Sequence, residues 1–436
     1  MSAHQSATAD NLRSGIIAFL QWLERNGYSS YDPYNLWSTR YGIAVKALYQ
    51  SNKLLGLPAI APIILGDIFA PRLTRIFSRK HRFPISDAHC IISFCTLYRM
   101  SGHQAFLDEA ITLGEELLEQ SLSASYSGHC WGYPFDWQTN QGVWRGATPL
   151  ITTTPYCFEA YCALFDATHD ARYKTICESI VKFAEKDLNE TVIDHRSSSC
   201  SYSPIDSTLV VNANAYRSFL FMEAQNRFGS KRLRSKAICN LNFICDAQRE
   251  DGSWWYALSS PSDAFIDNFH TCLVLKNLIK ANIHLQSPDV WKSIERGYAY
   301  YQNHLFDSTG EPIPFATLQR ANPVTREMYD YAEGINLGVL LTQFFPAELD
   351  TTGVRTTARA TSLRLASTIL NDYQLPDGHF ITKVNLKHIP NTVPYIRWAQ
   401  SQILHALTRL LEYETATQPK QAFSYQDRSE VELPLH

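Results

Sequence analysis

The chain has 436 residues, more than the roughly 250–300 at which a single globular core stops growing, so it needs either separate domains or a closed repeat whose units pack only on their neighbours. Its net charge is −3 and 45% of its residues are hydrophobic, which excludes the basic footprint of a nucleic-acid binder. Aromatics reach 12%, with 23 Tyr and 9 Trp, more than a core requires, since Tyr and Trp carry polar edges that need partners.

In chain order, the opening Met1–Asp10 stretch has no basic start and no apolar run, so it does not read as a signal peptide and a cytoplasmic location is expected. Charged amphipathic helices are predicted over 11–25, 104–120, 171–187, 231–248, 289–304 and 356–371. After each comes a more apolar one. These begin near Asp87, Leu150, Leu209, Asp267, Tyr329 and Pro394, at spacings of 63, 59, 58, 62 and 65 residues. A helix that is apolar nearly all round belongs inside, and one with a charged face outside. Six such hairpins predict an all-α (α/α)6 toroid over 1–414, with an insertion at about 51–86 and a polar tail over 415–436. The ten cysteines show no CxxC and no ligand spacing. Cys90, Cys157, Cys162, Cys177 and Cys272 fall in apolar helical patterns and read as free buried thiols. No metal or other cofactor is expected: GxGxxG, Walker and HExxH motifs are missing, as is GxSxG.

This topology puts every outer-to-inner loop at one end, and the loops hold most of the Gly, Trp, Tyr and Asp. The first carries Tyr34 and Trp37. The second runs from Gly128 through Trp131, Tyr133, Asp136 and Trp137 to Trp144, and the fourth is Asp251-Gly252-Ser253-Trp254-Trp255-Tyr256. Flat aromatic faces can stack on pyranose rings, so these residues are candidate sugar platforms. Asp136, Asp267, His270, Asp330 and Glu333 are the candidate catalytic groups. Asp136 stands between two aromatics, where it either faces a site or holds its loop. Asp267 suits a helix N-cap and has His270 one turn on, an arrangement fit for proton transfer. Asp330 and Glu333 lie three apart on a helix expected to be buried, where an apolar lumen would raise a carboxyl pKa. Asn212 and Asn214 are polar residues on an inner helix, costly unless they bond something. Tyr395 and Arg397 complete the substrate-binding set; Arg397 is equally suited to clamping a uronate and to an inter-helix ion pair.

The DGSWWY loop followed by Asp267-Asn268-Phe269-His270-Thr271, the GHCWGYPFDWQ stretch and Pro394-Tyr395-Ile396-Arg397-Trp398-Ala399-Gln400 resemble the six-hairpin glycosidase superfamily. More narrowly they are similar to proteins of bacterial surface-polysaccharide gene clusters. The resemblance covers roughly 30–414 and implies sugar hydrolases, lyases or epimerases. A second one competes: Gln248-Arg249-Glu250-Asp251-Gly252-Ser253-Trp254 matches the QxxxGxW repeat of squalene cyclases, although the DxDD signature is missing.

The leading expectation is a carbohydrate-active enzyme of polysaccharide or glycoconjugate metabolism, hydrolase-like or a uronate lyase or epimerase. A non-catalytic glycan-binding or scaffold protein is the alternative, and a terpene-cyclase-like barrel the third reading. The expected partner is an oligo- or polysaccharide, lipid-linked forms included. Residues 54–82 join a charge-free apolar run, whose two prolines are expected to break a helix, to Arg72, Arg75, Arg79, Lys80 and Arg82. They suit either contact with an anionic membrane or packing on the barrel.

Overall fold

The computed structural model describes residues 3–139, 142–259 and 264–416. It opens with α1 (Ala3–Asn26) in the outer ring, followed by α2 (Arg40–Ser51) and α3 (Lys53–Phe69) in the insertion. Inner and outer helices then alternate: α4 (Pro84–Ser101), α5 (Gln104–Glu119), α6 (Thr154–Thr168), α7 (Ala171–Lys186), α8 (Val211–Phe228), α9 (Lys231–Asp246), α10 (Asn268–Leu285), α11 (Pro288–His304), α12 (Met328–Phe344), α13 (Val354–Asp372) and α14 (Ser401–Ala416). The even-numbered helices from α4 onward form the inner ring. Each packs on the next, and α14 closes on α4. This is the (α/α)6 toroid that the repeat spacing predicts.

Burial explains the two rings. In α12 every residue from Met328 to Thr342 is buried. In α7 only one stripe is: Tyr173, Ile176, Cys177, Ile180, Val181, Phe183 and Ala184, at the three-and-four spacing of an amphipathic helix. All ten cysteines are free. The small strands lie in the loops. Trp137–Thr139 (β1) pairs with Gly142–Trp144 (β2), and Glu190–Val192 (β3) with Ser198–Cys200 (β4). Ile266–Asp267 (β5) pairs with Phe315–Thr317 (β6). Val324–Glu327 (β7), Lys383–Asn385 (β8) and Ile389–Asn391 (β9) form one three-stranded sheet.

The QxxxG pattern has a structural job in the two Asp-Gly turns, at Gln248–Gly252 and Gln374–Gly378. Gln248 Nε2 donates to Gly252 O within its turn and to Ser293 O on α11, both at 2.9 Å. Gln374 Nε2 likewise donates to Gly378 O and to Gly15 O on α1, both at 2.9 Å. The glycines have φ of +91° and +104°, and a Cβ there would lie 2.5 Å from Arg296 O or 2.0 Å from Ala18 O. Only glycine supplies both the backbone conformation and the close approach. The motif resembling cyclases therefore fastens each turn to the neighbouring outer helix.

The insertion departs from expectation. α3 continues through Pro58 and Pro62, although each proline removes a helical N–H. The freed carbonyls belong to Leu54 and Pro58, both on the exposed side of the helix, where water can satisfy them. The opposite side packs: Ile60 and Ile63 form a small cluster with Val45 and draw in Trp37. At the other end α14 extends to Ala416, and the rest of the expected tail lies outside the described residues.

Candidate functional site

The mouth of the barrel is built where the loops before α10, α12 and α14 meet. Asp267 is the N-cap of α10, its side chain accepting from the His270 N–H at 3.2 Å. The second carboxylate oxygen lies 2.6 Å from His270 Nδ1. One residue thus caps the helix and orients an imidazole through its Nδ1. Tyr256 stacks on Phe265 at 4.8 Å and contacts the His270 ring at 4.6 Å, while Phe269 contacts it at 4.0 Å. Beneath this group, Asn212, Trp254, Trp255, Asp267 and His270 border a pocket of about 10 Å³, room for roughly one water.

Beside this dyad stand two further carboxyl groups. Glu327, at the end of β7, occupies the N-cap position of α12 without capping it. Its Oε1 accepts from Trp398 Nε1 at 2.7 Å. Desolvation raises its pKa to about 7, against the opposing pull of Lys383. Asp330, one turn into α12, is fully buried, and the Phe269 backbone N–H is the group that opposes the rise in its pKa. Burial, then repulsion from Glu327, Asp267 and Glu333, pushes its pKa well above the usual carboxylate range. Both effects favour its protonated form.

Trp398 is aimed by an irregular backbone. The π turn Ile396–Gln400 contains Trp398 at φ −115°, ψ 95° and Ala399 at φ +91°, ψ −49°, the latter strained for a residue with a side chain. Glutamines hold it: Gln402 accepts from Ala399 N at 3.1 Å and donates to Arg397 O at 2.7 Å, while Gln400 donates to Phe380 O at 2.7 Å. The result brings the indole 4.8 Å from Tyr329 and 5.6 Å from Phe269. Three aromatic faces thus border the carboxyl cluster.

The structure brings Asn212, Trp254, Trp255, Tyr256, Asp267, His270 and Asp330 together at or near this mouth, and it places other candidates elsewhere. Trp131 has no exposure; its Nε1 donates to Leu117 O at 2.8 Å, making it core, not a platform. Trp254 lines the pocket but repeats that device, donating to Ile244 O at 2.9 Å. Asp136 accepts from Gly146 N and Arg145 Nη1, both at 2.7 Å, and its pKa is lowered mainly by the Gly146 N–H; it holds its own loop. Glu333 is buried in an ion pair with Lys276, so the lumen around it is not the apolar one expected. Asn214 is satisfied by Cys200 N, Ser199 Oγ and Val210 O at 2.8–3.0 Å. Arg397 is buried and bidentate on Asp32 at 2.5 and 2.8 Å, with Tyr133 and Tyr34 on its flanks; it has no free fork for a uronate. Trp37 packs on the insertion, and Tyr395 is buried beside it. Trp137 and Trp144 meet edge to face at 5.6 Å across the β1–β2 hairpin.

Sequence reasoning does not single out Glu327, Phe269, Tyr329 or Trp398. One signal for Glu327 exists: it immediately precedes α12 as Asp267 immediately precedes α10. Trp398 carries no comparable mark, because the backbone turn that aims it has no sequence signature.

The chain matches no protein-family model and no curated protein. Its fold is that of solved six-hairpin, glycosidase-like proteins. An inactive variant of an α-1,6-mannanase from Salegentibacter sp., in complex with α-1,6-mannotetrose, superposes with a TM-score of 0.58 at 10% identity, over 77% of this chain and 91% of that one. An unsaturated glucuronyl hydrolase specific for heparin gives 0.55 at 11%, over 76% and 87%. A sugar epimerase from a ruminal bacterium gives 0.58 at 12%, over 78% and 89%. At such identities the likeness is one of fold.

Proposed function

We propose that the protein is a carbohydrate-active enzyme that cleaves a glycosidic bond at the α10–α12–α14 mouth. The observation that carries this reading is Glu327, an acid poised near pH 7 and held by Trp398 beside the Asp267–His270 pair. Glycosidic cleavage needs a proton donor on the leaving oxygen and a second group that activates water or attacks. Glu327 supplies the proton to the departing oxygen as the C–O bond breaks. The Asp267–His270 pair takes a proton from the attacking water. Trp398, partly exposed, offers a face to the sugar ring, with Tyr329 packed against it and the buried Asp330 next to them. Solved relatives in fold that act on sugars, one in complex with an oligomannoside, support the substrate class. A uronate lyase or epimerase is less well supported, because Arg397 is occupied by Asp32. A terpene-cyclase reading fits poorly with a lumen holding Lys276–Glu333 and Lys280–Glu159 ion pairs. The mannanase variant is inactivated at two adjacent aspartates; this chain has no Asp-Asp pair, so a different geometry is proposed for it. Ten free thiols suit a reducing, cytoplasmic setting, and polysaccharide or glycoconjugate metabolism, with lipid-linked chains among the substrates, is the matching role.

The test is reducing-end release from a panel of α- and β-linked oligosaccharides, paired with calorimetric binding. Native protein should turn over at least one that Glu327→Gln and Asp267→Asn bind but do not cleave. Binding by all three without turnover would establish a glycan-binding protein instead.

A further inference from the structure

Nine of the sixteen large hydrophobic residues exposed among the described residues lie between Tyr41 and Ile76, in a chain whose other surfaces show such residues scattered. They are not random within that span. Leu54, Leu57, Leu65, Phe69, Leu73 and Ile76 are 88, 57, 52, 62, 63 and 75% exposed, and Pro58 and Pro62 are exposed between them. Helical spacing puts Leu54, Leu57, Leu65 and Phe69 on one side of α3, and Leu73 and Ile76 lie in the turn and short 3-10 segment that follow it. The reverse side is already used, by Ile60 and Ile63. An apolar stripe of this length on a soluble face marks an interaction surface.

Charge decides what covers it. Residues 40–82 contain eight Lys and Arg and a single carboxylate, Asp67, although the whole chain is net negative. That carboxylate is already neutralised by Lys383 at 2.6 Å. Arg72, Arg79 and Lys80 are exposed beside the stripe. A second copy of this chain would bring the same cations against these, which costs energy. A surface that is apolar within and negative at its edge matches both features.

We propose that the outer side of α3, with the basic segment 72–80, is a docking surface for an anionic lipid bilayer. It lies on the bilayer without crossing it: among the described residues no helix is long and apolar enough to span a membrane. The Asp67–Lys383 pair ties the docked helix to β8, the strand that pairs with β7 at Lys383–Glu327. Docking therefore holds the mouth at the membrane surface, where lipid-linked saccharides reside; this consequence rests on the proposed enzymatic reading, whereas the docking itself does not.

The experiment is sedimentation of the full-length protein with vesicles of phosphatidylcholine containing about 30% phosphatidylglycerol. Binding is expected at low salt, absent with phosphatidylcholine alone, and weakened at ~0.5 M salt. Each cation near such a surface contributes about fivefold, so Arg72→Gln/Arg79→Gln/Lys80→Gln should weaken binding roughly 100-fold. Leu65→Asp/Phe69→Asp should abolish it while leaving the circular dichroism unchanged. Glu327→Gln should bind vesicles like the native protein, so a failed enzymatic reading leaves this result intact. No sedimentation at low salt, or equal sedimentation with neutral vesicles, overturns the proposal. So does a native dimer that Leu65→Asp/Phe69→Asp turns into a monomer without any vesicle binding.

Discussion

Two sets of carboxyl groups on or beside the inner helices differ in what faces them. In the lumen Glu333 meets Lys276, and Glu159 meets Lys280 at 2.6 Å. At the mouth Asp330 is repelled by Glu327 and Asp267, and the cation that opposes Glu327, Lys383, is shared with Asp67. Asp330 and Glu333 are a single turn apart on α12, yet they fall on opposite sides of this divide. Burial by itself thus does not make an acid available for chemistry. A dedicated counter-charge turns a buried carboxylate into structure, and its absence leaves a group that can exchange a proton near neutrality.

The comparison breaks or holds on paired substitutions. Glu327→Gln should lower turnover by ~10²–10⁴, the usual worth of a general acid, and yet raise stability at pH 7. The sign follows from linkage: the folded pKa of about 7 lies above the ordinary 4.5, so the unfolded chain ionises first as pH rises. Stability is therefore lost between about pH 4.5 and 7, and glutamine restores about 1–3 kcal/mol of it. Glu333→Gln should do the reverse. It strands the Lys276 ammonium in the lumen, at a cost of ~3–5 kcal/mol, and a Glu333→Gln/Lys276→Met pair should recover most of that loss. Thermal melts with a turnover assay measure both. A Glu333→Gln protein that melts normally but is inactive would reverse the assignment.

A smaller effect sharpens the account of the mouth. If Glu327 is the proton donor, kcat/KM falls as pH rises through about 7. Lys383 lowers that pKa, so Lys383→Met should move the falling limb to higher pH. A limb that stays in place would assign the acid elsewhere.

The rings were legible because helix burial has a period. The outer helix expected over 171–187 is observed over Ala171–Lys186, and that over 104–120 at Gln104–Glu119. The Asp267–His270 pair was legible for a similar reason: a cap and a residue three positions on share a helix face by local geometry. What composition hides is which way a loop side chain turns. Trp131 and Trp255 look alike in sequence, but the first spends its N–H on Leu117 O inside the core, while the second lies at the surface under Arg249 at 4.4 Å. Glu327 is set by the pairing of β7 with β8, strands too short and irregular to read from alternation. The continuation of α3 through two prolines depends on which side of the helix meets solvent, which local sequence does not state.

Asp136 gives the smallest and cleanest contrast. It stands in the aromatic loop, where composition alone suits it to sugar chemistry, yet Gly146 N and Arg145 supply its partners. Its pKa is depressed, mainly by the Gly146 N–H, so it contributes stability above the ordinary aspartate pKa that is lost as pH falls through its own, lower value. Arg145 is 80% exposed, and exposed pairs are worth about 0–1 kcal/mol. Asparagine keeps an oxygen for the Gly146 N–H and gives up only the charge. Asp136→Asn should therefore cost well under ~1 kcal/mol at pH 7 and leave turnover unchanged, and the difference from native protein should vanish in acid. If turnover instead collapses while the melt stays put, the second loop belongs to the reacting site, and the chemistry is shared between two sides of the mouth rather than gathered on α10 and α12.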